Sequence, residues 1–402
     1  MNEFFKCFLK RGDFLKIFGI IAEFNPLHKG HKYLIKEAKK QGKVVCVISG
    51  NFVQRGDVAI AEKRIRALSA LRCGADLVLE LPVLWSMSTA QNFALGGISA
   101  LKAAGCNNII FGSECGNISL LQKAADIITS PEFSEIVASE LKKGVTFAAV
   151  RQTAAEILGL EPEILSGANN NLGIEYIIAA RNLDFYPEFH TVKRLGAAHD
   201  SAEEAEFVSA SLLRSRLKEK DYDFCKKYMP ENILPLYQPE NIADINRLER
   251  AILSVLRTKD LNDLKKLPDL SEGIENKLFS AIRLATSTEE LYNEIKVKRY
   301  TLARIRRLVL SAFIGEDDKF FMKPLPYVRV LGFNPGGEQL LKEKKNAEIP
   351  LIVKVSDIGK ISPDAQSVFE TEAVATDLFS LALPIPLPCG LEYTAKLIKT
   401  EC

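Results

Sequence analysis

From Ile17 onward, short apolar runs at 17–24, 44–49, 76–81 and 108–112 alternate with segments of helical length. That alternation predicts parallel strands joined by right-handed crossovers, because each strand hands the chain to a helix that packs back on the sheet. The run ADLVLELP reads as a strand buried on both faces, ended by Pro82. A helix-rich stretch from about 118 to 183 leads to a fifth expected strand at 188–193. Residues 18–220 thus read as an α/β domain with a doubly wound, Rossmann-like parallel sheet. In such sheets ligands sit beyond the carboxyl ends of the strands, which singles out Asn25 to His31, Gly50 to Asp57 and Gly112 to Glu114.

Beyond residue 221 the pattern changes to leucine-spaced helices interrupted by Pro230, Pro235 and Pro239, and from 326 to a mixed segment holding GFNPGGEQ. A second domain at 221–402 is expected, helical first and mixed α/β after. Residues 1–17 mix Phe with Lys, Arg, Glu and Asp and lack the apolar stretch and cleavage site of a secretory signal, so an N-terminal extension is expected there. No apolar run approaches the roughly 18–20 residues that span a bilayer, so no membrane partner is expected. The eight cysteines are scattered without a CxxC pair, which gives no zinc pattern and fits a reducing cytoplasm. A formal net charge of +2 excludes a globally basic nucleic-acid binder, so any such surface has to be local.

The candidate chemistry is concentrated in FGIIAEFNPLHKGHKYL, between the first strand and the first helix. Backbone N–H groups at a helix N-terminus carry partial positive charge, so phosphate is the natural occupant. His28 and His31 are two of only four histidines, and their spacing lets both project into that site. A polyphosphate drives an imidazole toward its charged form, which donates hydrogen bonds to oxygens that gain charge as the α-phosphorus is attacked. Gly30 admits close approach of the nucleotide. HxGH in this setting is similar to the signature of the nucleotidyltransferase superfamily, whose members use ATP to make an adenylate or transfer AMP. That superfamily's later Ser/Thr and Arg motif is matched by SASLLRSRL, with Ser209, Ser211 and Arg214. The Arg214 guanidinium suits a clamp on the β- and γ-phosphates, and a solvated helix arginine is the alternative.

The longer string GIIAEFNPLHKGH is followed in order by SGNFVQRGD, DLVLELP, FGSE, LSGANNNLGIEY and KRYTLARIRR. Together, over about residues 18–355, these blocks resemble the bacterial tRNA(Met) cytidine acetate ligases. The resemblance implies that acetate and ATP, with Mg2+ neutralising the triphosphate, form acetyl-adenylate, and that the acetyl group passes to the wobble cytidine of elongator tRNA(Met). It implies His28 and His31 as catalytic residues. It assigns ATP binding to Ile21, Ala22, Glu23, Phe24, Asn25, Pro26, Leu27, His28, Lys29, Gly30, His31, Lys32, Tyr33 and Leu34, and to Gly112, Asn169 and Arg194. Asn169 stands in a run of three asparagines, so its register is open by one position. Gln54 and Arg55, after the second strand, are candidates for contact with acetate or with the tRNA.

Residues 291–360 hold 14 Lys and Arg against 8 Asp and Glu. In KVKRYTLARIRRLVLSA, helical spacing places Leu302, Ile305, Leu308, Val309 and Ala312 on one face, with Lys296, Arg299, Arg304, Arg306 and Arg307 on the opposite arc. Such a stripe suits tRNA phosphates, and Tyr300 suits stacking on a base; the alternative is a solvated face of a core helix. Two rival functions share the histidine motif. One is a small-molecule adenylyltransferase, and the other is a nucleotide- or RNA-binding regulator without turnover.

Overall fold

Period-two alternation with both faces apolar builds the central sheet. The computed structural model describes residues 15–142, 147–194, 208–271, 273–297, 300–344 and 347–401. Its strands are β1 (Ile17–Ala22), β2 (Lys43–Ser49), β3 (Phe52–Val53), β4 (Asp57–Val58), β5 (Leu77–Leu81), β6 (Asn108–Ser113), β7 (Glu188–Lys193), β8 (Val328–Phe333), β9 (Leu351–Ile352) and β10 (Ile398–Lys399). The sheet order is β10-β8-β5-β2-β1-β6-β7, with β9 beside β8, while β3 and β4 form a separate hairpin. Neighbours among β5, β2, β1, β6 and β7 are parallel, with Gly19 in register with Val45 on one side and Ile109 on the other.

The first half of the chain carries α1 (Lys29–Lys39), α2 (Lys63–Arg72), α3 (Val83–Ser86), α4 (Ala90–Ala103), α5 (Ile118–Ile128), α6 (Pro131–Leu141), α7 (Phe147–Ile157), α8 (Pro162–Ser166) and α9 (Ala168–Asn182). The second half carries α10 (Ala210–Lys218), α11 (Tyr222–Tyr228), α12 (Glu249–Thr258), α13 (Leu261–Leu264), α14 (Ile274–Leu284), α15 (Thr288–Ile295), α16 (Leu302–Ile314), α17 (Pro335–Glu343), α18 (Pro363–Ser380) and α19 (Leu391–Thr394). Val45 and Val47 of β2 enter the core shared with α4 and α9, and Val44, Cys46 and Ile48 enter the opposite one under α1 and α2. A third core gathers α12, α14, α15 and α16, through residues such as Leu256, Leu278, Leu291 and Leu308. Helix α18 serves two cores, with Val368 and Phe369 against the sheet and Ala375 and Phe379 among the helices. No described helix is long and apolar enough to cross a membrane.

Three features differ from the sequence pattern. The first strand stops at Ala22 rather than 24, because Phe24 takes φ +46° and turns the chain out of the sheet. Ile17, counted both in the extension and at the start of the first strand, belongs to the strand and pairs with Lys43; residues 1–14 of that extension lie outside the described residues. The segment from 326, expected to form the mixed part of a second domain, returns to the central sheet. Its β8 runs antiparallel to β5, pairing Phe333 with Leu77 and Gly332 with Val78.

Buried charge fastens this return. Lys63, fully buried on α2, contacts Glu80 of β5, Glu372 of α18 at 2.9 Å and Glu392 of α19 at 2.6 Å. Arg329 of β8 meets Glu392 from the other side, and Glu372 Oε2 accepts the Val83 N–H at 2.6 Å. Burial and the Glu80 carboxylate push Glu372 up, whereas Lys63 and Arg329 overcome burial and hold Glu80 down.

Glu316, just past α16, is buried; Ser311 Oγ donates to its Oε2 at 2.6 Å, and its Oε1 has no hydrogen-bond partner among the described residues. Burial pushes its carboxyl up to about 8. The folded protein therefore keeps a proton that the unfolded chain releases near its ordinary value, so this group's contribution to stability falls as pH rises through that window. Glu316→Gln is expected to raise the melting temperature more at pH values above about 8 than at about pH 5. A pH-independent change would contradict this origin.

Candidate active site

Strand order reverses at β1, with β2 on one side and β6 on the other, so the crevice for a ligand opens at the carboxyl ends of β1 and β6. After β1 the chain passes a cis Asn25–Pro26 bond and reaches His28, the N-cap of α1. The two histidines form a reciprocal capping box. His28 Nδ1 accepts the His31 N–H at 3.3 Å, and His31 Nδ1 accepts the His28 N–H at 3.4 Å. The rings stack with centroids 3.7 Å apart and 20° between planes.

Because each Nδ1 accepts a backbone N–H, each neutral ring carries its proton on Nε2, the nitrogen the cap does not use. Burial, with the Arg194 charge second, lowers His28 to about 4. Burial, His28 and Arg194 push His31 well below its ordinary value. Burial and the Arg194 charge thus favour the neutral form of both rings, with Nε2–H as the donor.

The rest of the motif divides by burial. Ile21, Phe24, Asn25, Pro26 and Leu27 are buried; Ala22, Glu23, Gly30 and Leu34 are half-buried; Lys29, Lys32 and Tyr33 are exposed. Asn25 Oδ1 accepts the Ile60 N–H at 2.7 Å, and Lys29 Nζ donates to Lys227 O at 2.5 Å. Arg66, which the sequence pattern did not single out, is fully buried and ties the ends of β1 and β2 together. It donates to Glu23 O at 2.7 Å, to Ala61 O at 2.9 Å and to Gly50 O. Its only sequence signal was an arginine three residues after Lys63, which reads equally as a solvated helix face.

Arg214 is brought to the histidine motif: Nη1 donates to Asn25 O at 2.9 Å and Nη2 to Ser211 Oγ at 3.0 Å. Ser209 caps α10 by accepting the Leu212 N–H at 3.2 Å. On the other wall, Gly112 lies beside Arg194, whose N–H donates to Ser113 O at 2.9 Å; a Cβ on Gly112 would stand 3.3 Å from Arg194 Cγ. Of the three asparagines, Asn169 is half-exposed and donates from Nδ2 to Glu114 Oε1 at 2.7 Å. Asn170 is buried, and Asn171 donates to Leu165 O and Gly167 O.

Gln54 and Arg55 sit at the tip of the β3–β4 hairpin, with Arg55 exposed. The Gln54 N–H donates to Glu23 Oε1 at 2.9 Å, and Gln54 O accepts from Arg307 at 3.3 Å. Gly56, at φ +70°, lies so close to α16 that a Cβ would stand 2.6 Å from Arg306 Cβ. The hairpin therefore joins the crevice to the basic helix.

The basic stripe is narrower than its sequence suggests. Thr301 caps α16 by accepting the Arg304 N–H at 3.3 Å, so Lys296 and Tyr300 precede the helix; Arg299 lies outside the described residues. Tyr300 is buried and its OH donates to Ser271 O at 3.1 Å, which removes it from base stacking. Arg304 and Arg307 pair with Asp269 at 3.2 and 3.4 Å. Leu302, assigned to the apolar face, is 40% exposed in the first turn, while Ile305, Leu308, Val309 and Ala312 are buried. Lys296 is exposed, and half-buried Arg306 lies over the Tyr292 ring.

Residues 15–387 match the HIGH Nucleotidyl Transferase family model. A tRNA(Met) cytidine acetate ligase from Caldanaerobacter subterraneus subsp. tengcongensis is 39% identical over 408 residues, covering 96% of this chain and 100% of the relative. Another, from Thermosipho africanus, is 33% identical and covers 92% of this chain and 96% of its own length. Crystal structures of Thermotoga maritima TmcAL superpose with TM-scores of 0.89 without ligand and 0.88 with alpha-thio ATP bound. Each is 29% identical, with 96% of this chain and 100% of the other covered. With this likeness over nearly all of its length, the chain belongs to the tRNA(Met) cytidine acetate ligase family, within the HIGH nucleotidyl transferases.

Proposed function

We propose that this chain activates acetate with ATP and transfers the acetyl group to the wobble cytidine of elongator tRNA(Met). The observation that carries the reading is the His28–His31 pair, two stacked neutral imidazoles pinned through Nδ1 at the carboxyl end of β1. An acetate oxygen attacks the α-phosphorus of ATP, the bond to the bridging oxygen breaks, and pyrophosphate leaves. The two Nε2–H groups donate to the α-phosphate oxygens as they gain charge, held in place before the reaction begins. Arg194 and Arg214 hold phosphate, and Asn169 meets the nucleoside. Mg2+ bound to the triphosphate would supply charge neutralisation there, beside Arg194 and Arg214.

The exocyclic amine of cytidine is a weak nucleophile, so an acyl–AMP anhydride answers a real need. The amine attacks the acetyl carbonyl, AMP departs with the bonding pair, and the nitrogen loses a proton. No side chain needs to be acylated. Lys296, Arg306 and Arg55 are the tRNA contacts in this reading; Arg304 and Arg307, already paired with Asp269, shape that surface.

Without tRNA, the protein is expected to exchange labelled pyrophosphate into ATP only when acetate is present. Exchange without acetate, or none although ATP binds, would set this reading aside for the adenylyltransferase or the regulator.

A further inference from the structure

Glu114, in the turn after β6, fills the N-terminus of α9 from outside that helix. Its Oε1 accepts the Asn169 N–H at 3.1 Å and Asn169 Nδ2 at 2.7 Å, and its Oε2 accepts the Asn170 N–H at 2.7 Å. Asn170 returns the clasp, its Oδ1 accepting the N–H groups of Glu114 and Cys115 at 3.0 and 3.1 Å. Gly167 stands at the N-cap without a side chain, and a Cβ there would approach Glu114 Oε2 to 2.6 Å. Against partial burial, the hydrogen bonds from Asn169 and Asn170 hold the Glu114 carboxyl below its ordinary value.

An ionised carboxylate only accepts hydrogen bonds, whereas an amide has a donor end and an acceptor end. Facing Glu114, the Asn169 amide has one workable orientation, with Nδ2 toward the carboxylate and Oδ1 away from it. We infer that Glu114 is a positioning residue that presents Asn169 Oδ1 to the nucleotide base as an acceptor, selecting the exocyclic amine of adenine over the carbonyl oxygen of guanine, an inference that rests on Asn169 being an ATP contact. Adenine offers N6–H donors at that edge and guanine offers O6, so the same asparagine oxygen is paired by one base and opposed by the other. A polar partner left unpaired in a site built for it costs more than the bond itself.

The test uses calorimetric titration of the full chain with ATP, with GTP and with purine riboside triphosphate, which lacks the amine. The wild type is expected to bind ATP about tenfold or more tightly than purine riboside triphosphate. In Glu114→Gln, a donor faces Asn169 and the amide can turn, so the preference is expected to fall to within about twofold, through weaker ATP binding alone. Asn169→Leu removes the acceptor with Glu114 intact and is expected to erase the preference in the same way. Equal weakening of all three nucleotides in both variants, or an undiminished preference for ATP in either, would overturn the inference while leaving the proposed ligase standing. A wild type that binds no ATP would overturn both.

Discussion

His28→Asn and His31→Asn are each expected to slow acetate-dependent pyrophosphate exchange by about 10²–10³-fold, the usual effect of deleting a donor aimed at developing charge. Asparagine separates chemistry from folding. Its Oδ1 takes the place of Nδ1 and still accepts the backbone N–H, so the caps of α1 survive. Nothing replaces Nε2–H. The rate should therefore fall with kcat, while KM for ATP changes by no more than about threefold. Loss of the histidines should also soften an acid transition. The unfolded chain takes up protons on His28 below about 6.5, whereas the folded protein resists until about 4. Stability from this residue is thus complete above the unfolded value and is lost as pH falls below it. Thermal melts of His28→Asn should be less pH-dependent in that window than those of the wild type; parallel curves would contradict the burial of a neutral ring.

Lys63→Met carries the largest expected loss of stability. It removes the cation that Glu80, Glu372 and Glu392 share and leaves those carboxylates buried with Arg329 as the main remaining charge. Breaking such a buried network from one side costs about 3–5 kcal/mol, to be read from urea denaturation. The loss should be greatest at high pH and shrink as pH falls, because Glu372, already pushed up by burial and by Glu80, takes up a proton and relieves the repulsion. A loss below about 1 kcal/mol would mean that the cluster is dispensable for holding α18, α19 and β8 to the sheet.

The five parallel strands were legible because each is an apolar run followed by a helix, and their carboxyl ends led directly to the histidine motif. The position of β8 was not. The segment from 326 reads only as mixed, and no local pattern names a partner for VRVLGF some 250 residues away, or an antiparallel direction. The buried charges were not legible for a similar reason. Nothing in the sequence pattern singled out Lys63 or Arg66, yet both are fully buried, and only the tertiary fold brings three glutamates to one and three backbone carbonyls to the other. The basic helix shows the reverse. Its spacing exposed the row of arginines, while Asp269, which neutralises Arg304 and Arg307, sits more than thirty residues earlier. Asn169 could not be separated from its neighbours by pattern. Their contacts differ only in the folded chain: Asn169 donates from Nδ2 to the Glu114 carboxylate, whereas buried Asn170 accepts the N–H groups of the turn after β6.

The central claim is tested most directly by incubating the protein with labelled acetate, ATP, Mg2+ and total bacterial tRNA, beside the His31→Asn variant. The account predicts label in one tRNA species, dependent on ATP and nearly absent with the variant. Unlabelled tRNA from a protein that still binds ATP, or equal labelling by the variant, would contradict it.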